Sequence, residues 1–304
     1  MRISEALATH RPFFSFEFFP PKDDEGSRRL FETIEALQPL RPAFVSITYG
    51  AGGSTRTRTV ALAKQIQQEL GLTVVAHVTC IGADRAELRA VFDDLARGGI
   101  ENVLALRGDP PAGTAFRPSP GGFAHASELI AMLRRNYGFC IGAACHPEKH
   151  LEASTIEEDL RFLKLKVEAG ADFLVSQLFF DNSRFFEFER LARGAGVNLP
   201  ILPGLMPITN FAQIQRFVTL CGATIPPKLR VEMESRKDDG RAVEDLGVAY
   251  ASMQVLELQR AGVPGIHFYT LNRSPATRAI VSSLLAASAW RPAFFQSPST
   301  ITTR

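Results

Sequence analysis

The chain has 304 residues, 45% of them hydrophobic and 22% charged, with a formal net charge of +2. That is enough apolar material for one large core, and near-balanced charge with no basic run argues against a nucleic-acid or membrane-surface role. The opening MRISEALATHRPFF lacks the apolar segment of a secretory signal, no stretch approaches the roughly 20 apolar residues of a membrane span, and Cys80, Cys140, Cys145 and Cys221 form no CxxC pair or disulfide framework. These features point to a soluble cytoplasmic protein. Short apolar runs then recur along the chain: FFSFEFF (13–19), FVSITYG (44–50), VVAHVTC (74–80), NVLALRG (102–108), CIGAACH (140–146), FLVSQLFF (173–180), ILPGLM (201–206) and GIHFYTLN (265–272). Each has the length and composition of a strand. The segments between them repeat at helical spacing. DRAELRAVFDDLARGG closes on a glycine pair, and STIEEDLRFLKLKVEAG opens on a capping Ser or Thr and ends on Gly.

Strand and helix alternate throughout, so the chain reads as α/β with parallel βα units. Eight such units predict a (β/α)8 TIM barrel, with a doubly wound open sheet as the other arrangement. The expected division is an N-terminal extension over 1–12, one barrel domain over 13–290 and a polar tail over 291–304. The proline- and glycine-rich stretch 109–122 reads as a long loop.

Active sites of such barrels gather where the strands end, and side chains alternate along a strand. Alternation sets Ser15 and Glu17 opposite Phe14, Phe16 and Phe18, and Ser46 and Thr48 opposite Val45 and Ile47. It sets His77 and Thr79 opposite Val74, Ala76 and Val78, and Ala105, Arg107 and Asp109 opposite Leu104 and Leu106. His146 closes the fifth run, Gln177 nears the end of the sixth and Arg273 follows the eighth. Nearly every strand delivers a polar group late, away from its most apolar side chains, and these groups mark out a site. Glu17, an acid among five phenylalanines in FFSFEFFPPK, is either paired or holds a proton near neutral pH.

Several chemistries can be weighed from residue types. A Schiff-base mechanism needs a lysine at a strand end, but Lys22, Lys149 and Lys166 fall in loops or helices. A metal-dependent barrel hydrolase would draw on His77, Cys80, Cys145, His146 and His150, yet there is no HxH pair, and the cysteines sit on alternating faces as small apolar filler would. No GxSxG elbow supports a serine triad, and YGAGGST is a Gly-rich turn without the GxGxxG fingerprint. What remains is a polar rim with an acid, an Arg-Gly-Asp turn, imidazoles, an amide and an arginine, suited to a large heteroaromatic ligand.

The stretches FEFFPP, FVSITYGAGGSTRTRT, HVTC, ALRGDPP, PEKH, SQLFFD, PGLMPITNF and FYTLNR run in order from about residue 13 to about 290. This ordered set resembles the methylenetetrahydrofolate reductases, in the short bacterial form without a regulatory domain. The resemblance implies a (β/α)8 flavoprotein with FAD at the C-terminal face of the strands. It implies ping-pong hydride transfer from NADH or NADPH to 5,10-methylenetetrahydrofolate, giving 5-methyltetrahydrofolate for methionine biosynthesis, or the reverse reaction. A homo-oligomer is also implied. By the same resemblance Glu17 is the general acid that protonates the folate N10, and Asp109 binds the pterin edge and places negative charge near the flavin.

Thr48, Tyr49, Ala51, His77, Arg107, Gly108 and Asp109 match positions that contact FAD in the family. So do Ala126, His146, His150, Ala153, Asp159 and Lys166, with Arg107 and Lys166 suited to the pyrophosphate. Gln177, Gln213, Phe217 and Arg273 match substrate-contacting positions, with Phe217 stacking on nicotinamide or folate. No metal ligand is implied. Plainer roles stand beside these: a salt bridge to a rim arginine for Glu17, a turn cap for Asp109, solvated or helix-packing roles for Ala126, His150, Ala153, Asp159 and Lys166, and a helical core position for Phe217. One departure is His146, where the family often has tyrosine; its imidazole brings a pH-dependent charge. A metal-dependent barrel hydrolase and a non-catalytic folate- or flavin-binding barrel are the competing functions.

Overall fold

The computed structural model describes residues 1–9, 12–49, 56–110, 114 and 116–286. Parts of two predicted loops (50–55, 111–113 and 115) and the tail from 287 lie outside the described residues. The strands are β1 (Phe13–Phe18), β2 (Phe44–Ile47), β3 (Val74–Thr79), β4 (Asn102–Leu106), β5 (Cys140–Cys145), β6 (Phe173–Ser176), β7 (Ile201–Leu202), β8 (Gly204–Leu205) and β9 (Gly265–Tyr269). They form one parallel sheet in the order β7-β6-β5-β4-β3-β2-β1-β9-β8. β7 and β8 are two halves of one strand broken at Pro203, whose ring removes the N–H that a continuous ladder needs. The first half pairs with β6 and the second with β9. The Pro203 carbonyl still accepts the His267 N–H at 3.0 Å. The sheet therefore closes through this bent strand, and the architecture is a (β/α)8 barrel.

The described α-helices are α1 (Ile3–Ala8), α2 (Asp24–Leu37), α3 (Arg56–Leu70), α4 (Arg85–Arg97), α5 (Ala126–Asn136), α6 (Ile156–Glu168), α7 (Asn182–Gly194), α8 (Phe211–Cys221), α9 (Pro227–Glu234), α10 (Gly240–Arg260) and α11 (Pro275–Ala286), and the two predicted helical segments correspond to α4 and α6. α4 (Arg85–Arg97) opens on an Asp84–Glu87 capping box, and α6 (Ile156–Glu168) opens on Thr155, whose side chain accepts the Glu158 N–H. The predicted sixth strand is shorter than its apolar run: it stops at Ser176, and Leu178 and Phe180 instead join a separate cluster with Met206, Ile208, Ile214, Leu229, Met233 and Val243. That cluster underlies α8 (Phe211–Cys221), α9 (Pro227–Glu234) and the start of α10 (Gly240–Arg260).

Two further apolar layers show which way each strand faces. Phe14, Phe16, Phe18, Val45, Ile47, Val103 and Ala105 pack outward against the helices. Phe13, Phe44, Val75, Leu104, Cys140, Phe173 and Leu202 fill the barrel. The expectation for β4 is thus reversed: Leu104 points inward and Ala105 outward, and Arg107 reaches the rim only because the strand ends at Leu106. Helix α1 (Ile3–Ala8) closes the N-terminal end of the barrel. Its Ile3 and Ala6 join the inner layer, and the buried Asn102 side chain accepts the Ile3 N–H at 2.8 Å and donates to the Met1 carbonyl at 3.0 Å. Among the described residues no helix is long and apolar enough to cross a membrane.

Candidate active site

A cleft of about 660 Å³ runs across the C-terminal ends of the strands. It is lined by Glu17, Thr48, Tyr49, His77, Arg107, Gly108, Asp109, Ala126, His146, His150, Ala153, Asp159, Lys166, Gln177 and Phe217. Gln213 and Arg273 do not reach it; they line a neighbouring hollow with Asn210, Ala212 and Arg216. Ala51 lies outside the described residues.

Glu17 is on the inner face of β1 and is only 8% exposed. Its Oε2 is 3.4 Å from His267 Nε2 and 3.5 Å from His77 Nε2. His267 Nδ1 lies 2.8 Å from Ser15 Oγ, so a hydroxyl, an imidazole and the carboxylate form a chain through the barrel. Burial pushes the His77 imidazole down to about 4, against the pull of the Glu17 charge and with a push from His267. His77 is therefore neutral near pH 7, and its Nε2 has no hydrogen-bond partner. Phe14, Phe16 and Phe18 face away, Phe19 is 40% exposed at the cleft, and the rings near Glu17 are His77, His267 and Tyr269.

Tyr269 is the register partner of Glu17 and donates its hydroxyl to the Ser176 carbonyl at 2.6 Å, across the mouth of the barrel. Burial raises its phenol well above the ordinary range. Gly204 permits this crossing: a Cβ there would lie 2.4 Å from the Ser176 oxygen and 2.6 Å from the Tyr269 ring. The sequence reading missed His267 and Tyr269. Their signal was the alternation Gly265, His267, Tyr269 in GIHFYTLN, which puts both on one face.

After β4 the chain turns at Gly108, where φ is +85° and a Cβ would come within 2.5 Å of Ile81. This turn presents Asp109, whose side chain is 88% exposed, beside Arg107. The guanidinium of Arg107 forms a two-pronged ion pair with Glu152, Nη2 to Oε1 being 2.8 Å, and lies over the Phe116 ring. That pairing raises Arg107 and lowers Glu152 from their ordinary values.

The loop after β5 supplies His146, His150 and Ala153, and its Lys149 (φ +73°) donates to the Ala153 carbonyl at 2.6 Å. Asp159 accepts the His150 N–H at 3.1 Å. Burial would raise Asp159, but His146, Lys166 and that N–H outweigh it and hold the carboxyl below its usual range. The His146 and His150 rings meet edge to face at 4.8 Å, and His146 Nδ1 stands 3.7 Å from Asp159, beyond hydrogen-bond reach. Burial depresses Lys166, whose Nζ donates to the Ala144 carbonyl at 2.6 Å. Gln177 Oε1 accepts the Leu178 N–H at 2.9 Å.

The thiols considered as metal ligands pack elsewhere. Cys80 and Cys145 belong to the outer apolar layer, and burial pushes them up to about 11 and about 12. Among the described residues no group of three or more His, Cys, Asp or Glu is placed to hold a metal ion.

A family model described as methylenetetrahydrofolate reductase matches residues 2–285. The 5,10-methylenetetrahydrofolate reductase of Escherichia coli (strain K12) is 38% identical over 270 residues, covering 89% of this chain and 90% of that one. Methylenetetrahydrofolate reductase (NADH) 1 of Arabidopsis thaliana is 38% identical over 295 residues, covering 93% of this chain and 50% of its own; the chain spans about half the length of such plant relatives. Among solved structures, an uncharacterized protein from Clostridium thermocellum that binds two copies of 5-methyl-5,6,7,8-tetrahydrofolic acid superposes with a TM-score of 0.64. It covers 93% of this chain and 97% of its own at 13% identity, so that likeness is one of fold. By the extent of the family match and the identity to the E. coli enzyme, the chain belongs to the methylenetetrahydrofolate reductase family.

Proposed function

We propose that the chain interconverts 5,10-methylenetetrahydrofolate and 5-methyltetrahydrofolate, with FAD as cofactor and NADH or NADPH as the other substrate. The observation that carries this reading is Glu17, held between two imidazoles in the same cleft as Arg107, Asp109, Lys166 and Gln177. The residues present fit a flavin dinucleotide. A cleft of about 660 Å³ is of the usual size for such ligands. Buried His77 Nε2 and His146 Nδ1 lack hydrogen-bond partners on its wall, and Arg107 and Lys166 supply cationic donors. When bound, FAD supplies the hydride carrier that links nicotinamide to folate.

The chain's own groups then have distinct tasks. Glu17 gives its proton to the folate N10, which opens the five-membered ring and leaves a cationic iminium at N5. The Ser15–His267–Glu17 chain fixes the carboxyl and offers a route for its proton to be replaced. Neutral His77 keeps a second charge away from that carboxyl. Asp109 places negative charge where the iminium develops, and Gln177 offers its amide to the pterin edge. In the reverse direction Glu17 takes the N10 proton back. The test is anaerobic titration of the FAD-loaded protein with each nicotinamide and then with methylenetetrahydrofolate. The flavin colour is expected to bleach and then return; protein that cannot be reconstituted with FAD contradicts the proposal.

A further inference from the structure

Glu152 is a charged residue of the cleft that the proposed reaction does not use. It stands in the turn after β5, with its backbone N–H on His150 Nδ1 at 3.1 Å, and its side chain is 53% exposed. Both its oxygens are engaged by the Nη1 and Nη2 prongs of Arg107. The rest of that guanidinium is also spoken for: Nε donates to the Gly108 carbonyl at 3.3 Å, and one face lies 4.6 Å from the Phe116 centroid. Arg107 is thus fixed in plane and direction, while the group on its fork hangs from a half-exposed turn. A carboxylate on a guanidinium fork has the same two-oxygen geometry as a phosphoryl group.

The charges of the cleft make this occupancy consequential. Among the described residues its cations are Arg107 and Lys166, and Lys166 is buried beside Asp159 and bonded to the Ala144 carbonyl. Its carboxylates are Glu17, Asp109, Glu152, Glu158 and Asp159. Leaving aside Glu17, which the proposed reaction uses as an acid, a diphosphate entering this cleft still meets four carboxylates against two cations among the described residues, and the Arg107 fork already holds an anion. We propose that Glu152 is a competing carboxylate: it holds the Arg107 fork in the ligand-free protein and must be displaced to solvent by a phosphoryl group of the incoming ligand. This rests on the reading of the cleft as a flavin dinucleotide site and adds a cost that only a phosphate-bearing ligand recovers. Ligands lacking phosphate leave the Arg107–Glu152 pair closed, so the pair selects for phosphorylated flavins.

The experiment compares wild type, Glu152→Gln and Glu152→Ala as full chains. Each is loaded with FAD and diluted stepwise while flavin fluorescence reports the free fraction; ADP and riboflavin are titrated in parallel. Both substitutions are expected to tighten FAD and ADP on the order of 5-fold, the size of a partly exposed ion pair, and to leave riboflavin unchanged. Weaker or unchanged FAD binding in both variants overturns the proposal, because Glu152 is then a support for Arg107 rather than its competitor. An equal gain for riboflavin overturns it too, since the effect would not pass through phosphate. If no protein binds FAD while the variants still gain ADP affinity, displacement stands and the flavin reading falls.

Discussion

His77 shows how the burial of one imidazole ties stability to pH. In the unfolded chain His77 takes a proton near 6.5, and in the folded chain only near 4. Between those values the unfolded chain binds the extra proton, so acidification favours unfolding. The contribution is fully present above 6.5 and is lost as pH falls through about 4. Its size is roughly 3 kcal/mol. His77→Gln is expected to flatten the decline of unfolding free energy over that window, read by urea denaturation at a series of pH values; an unaltered slope would show that His77 is not buried neutral. Glu17 itself was legible in the sequence, because a lone acid alternating with Phe14, Phe16 and Phe18 has to face the other way. Its partners were not. His267 is distant in sequence from Glu17, and only the β1–β9 pairing brings Ser15 and Glu17 beside His267 and Tyr269.

Among the elements, β4 and the seventh strand mark where alternation loses its power. Parallel strands covered on both faces are apolar on both, and β4 carries Val103 and Ala105 outward against Leu104 inward. Side-chain size alone did not reveal which set faces the barrel. In ILPGLM the strand was recognisable, but the break at Pro203 and the use of Gly204 for the Tyr269 crossing depend on neighbours. Helices α4 and α6 were easier, since the glycine pair that closes α4 and the Thr155 that caps α6 are local signals. Helix α1 carries a prediction at this scale. Ile3 is fully buried in the inner layer, at the end of the barrel away from the cleft. Ile3→Ala is expected to lower the unfolding free energy by about 3 kcal/mol while leaving the FAD dissociation constant unchanged. A loss of FAD affinity at temperatures where the variant stays folded would contradict that separation.

Among the described residues the sheet closes through the bent seventh strand, and the barrel divides its labour between two ends. Ile3 and Asn102 close one end, and the strand termini at the other gather the ionisable groups around one cleft. This division lets the buried carboxyl chemistry be tested apart from the rest of the site. Glu17 is proposed to act only on folate, so Glu17→Gln should separate the two half-reactions. In stopped-flow measurements on the FAD-loaded variant, flavin reduction by the nicotinamide is expected to stay near the wild-type rate. Reoxidation by methylenetetrahydrofolate is expected to slow by about a hundredfold or more. Reoxidation at the wild-type rate would contradict the assignment of Glu17 as the proton donor.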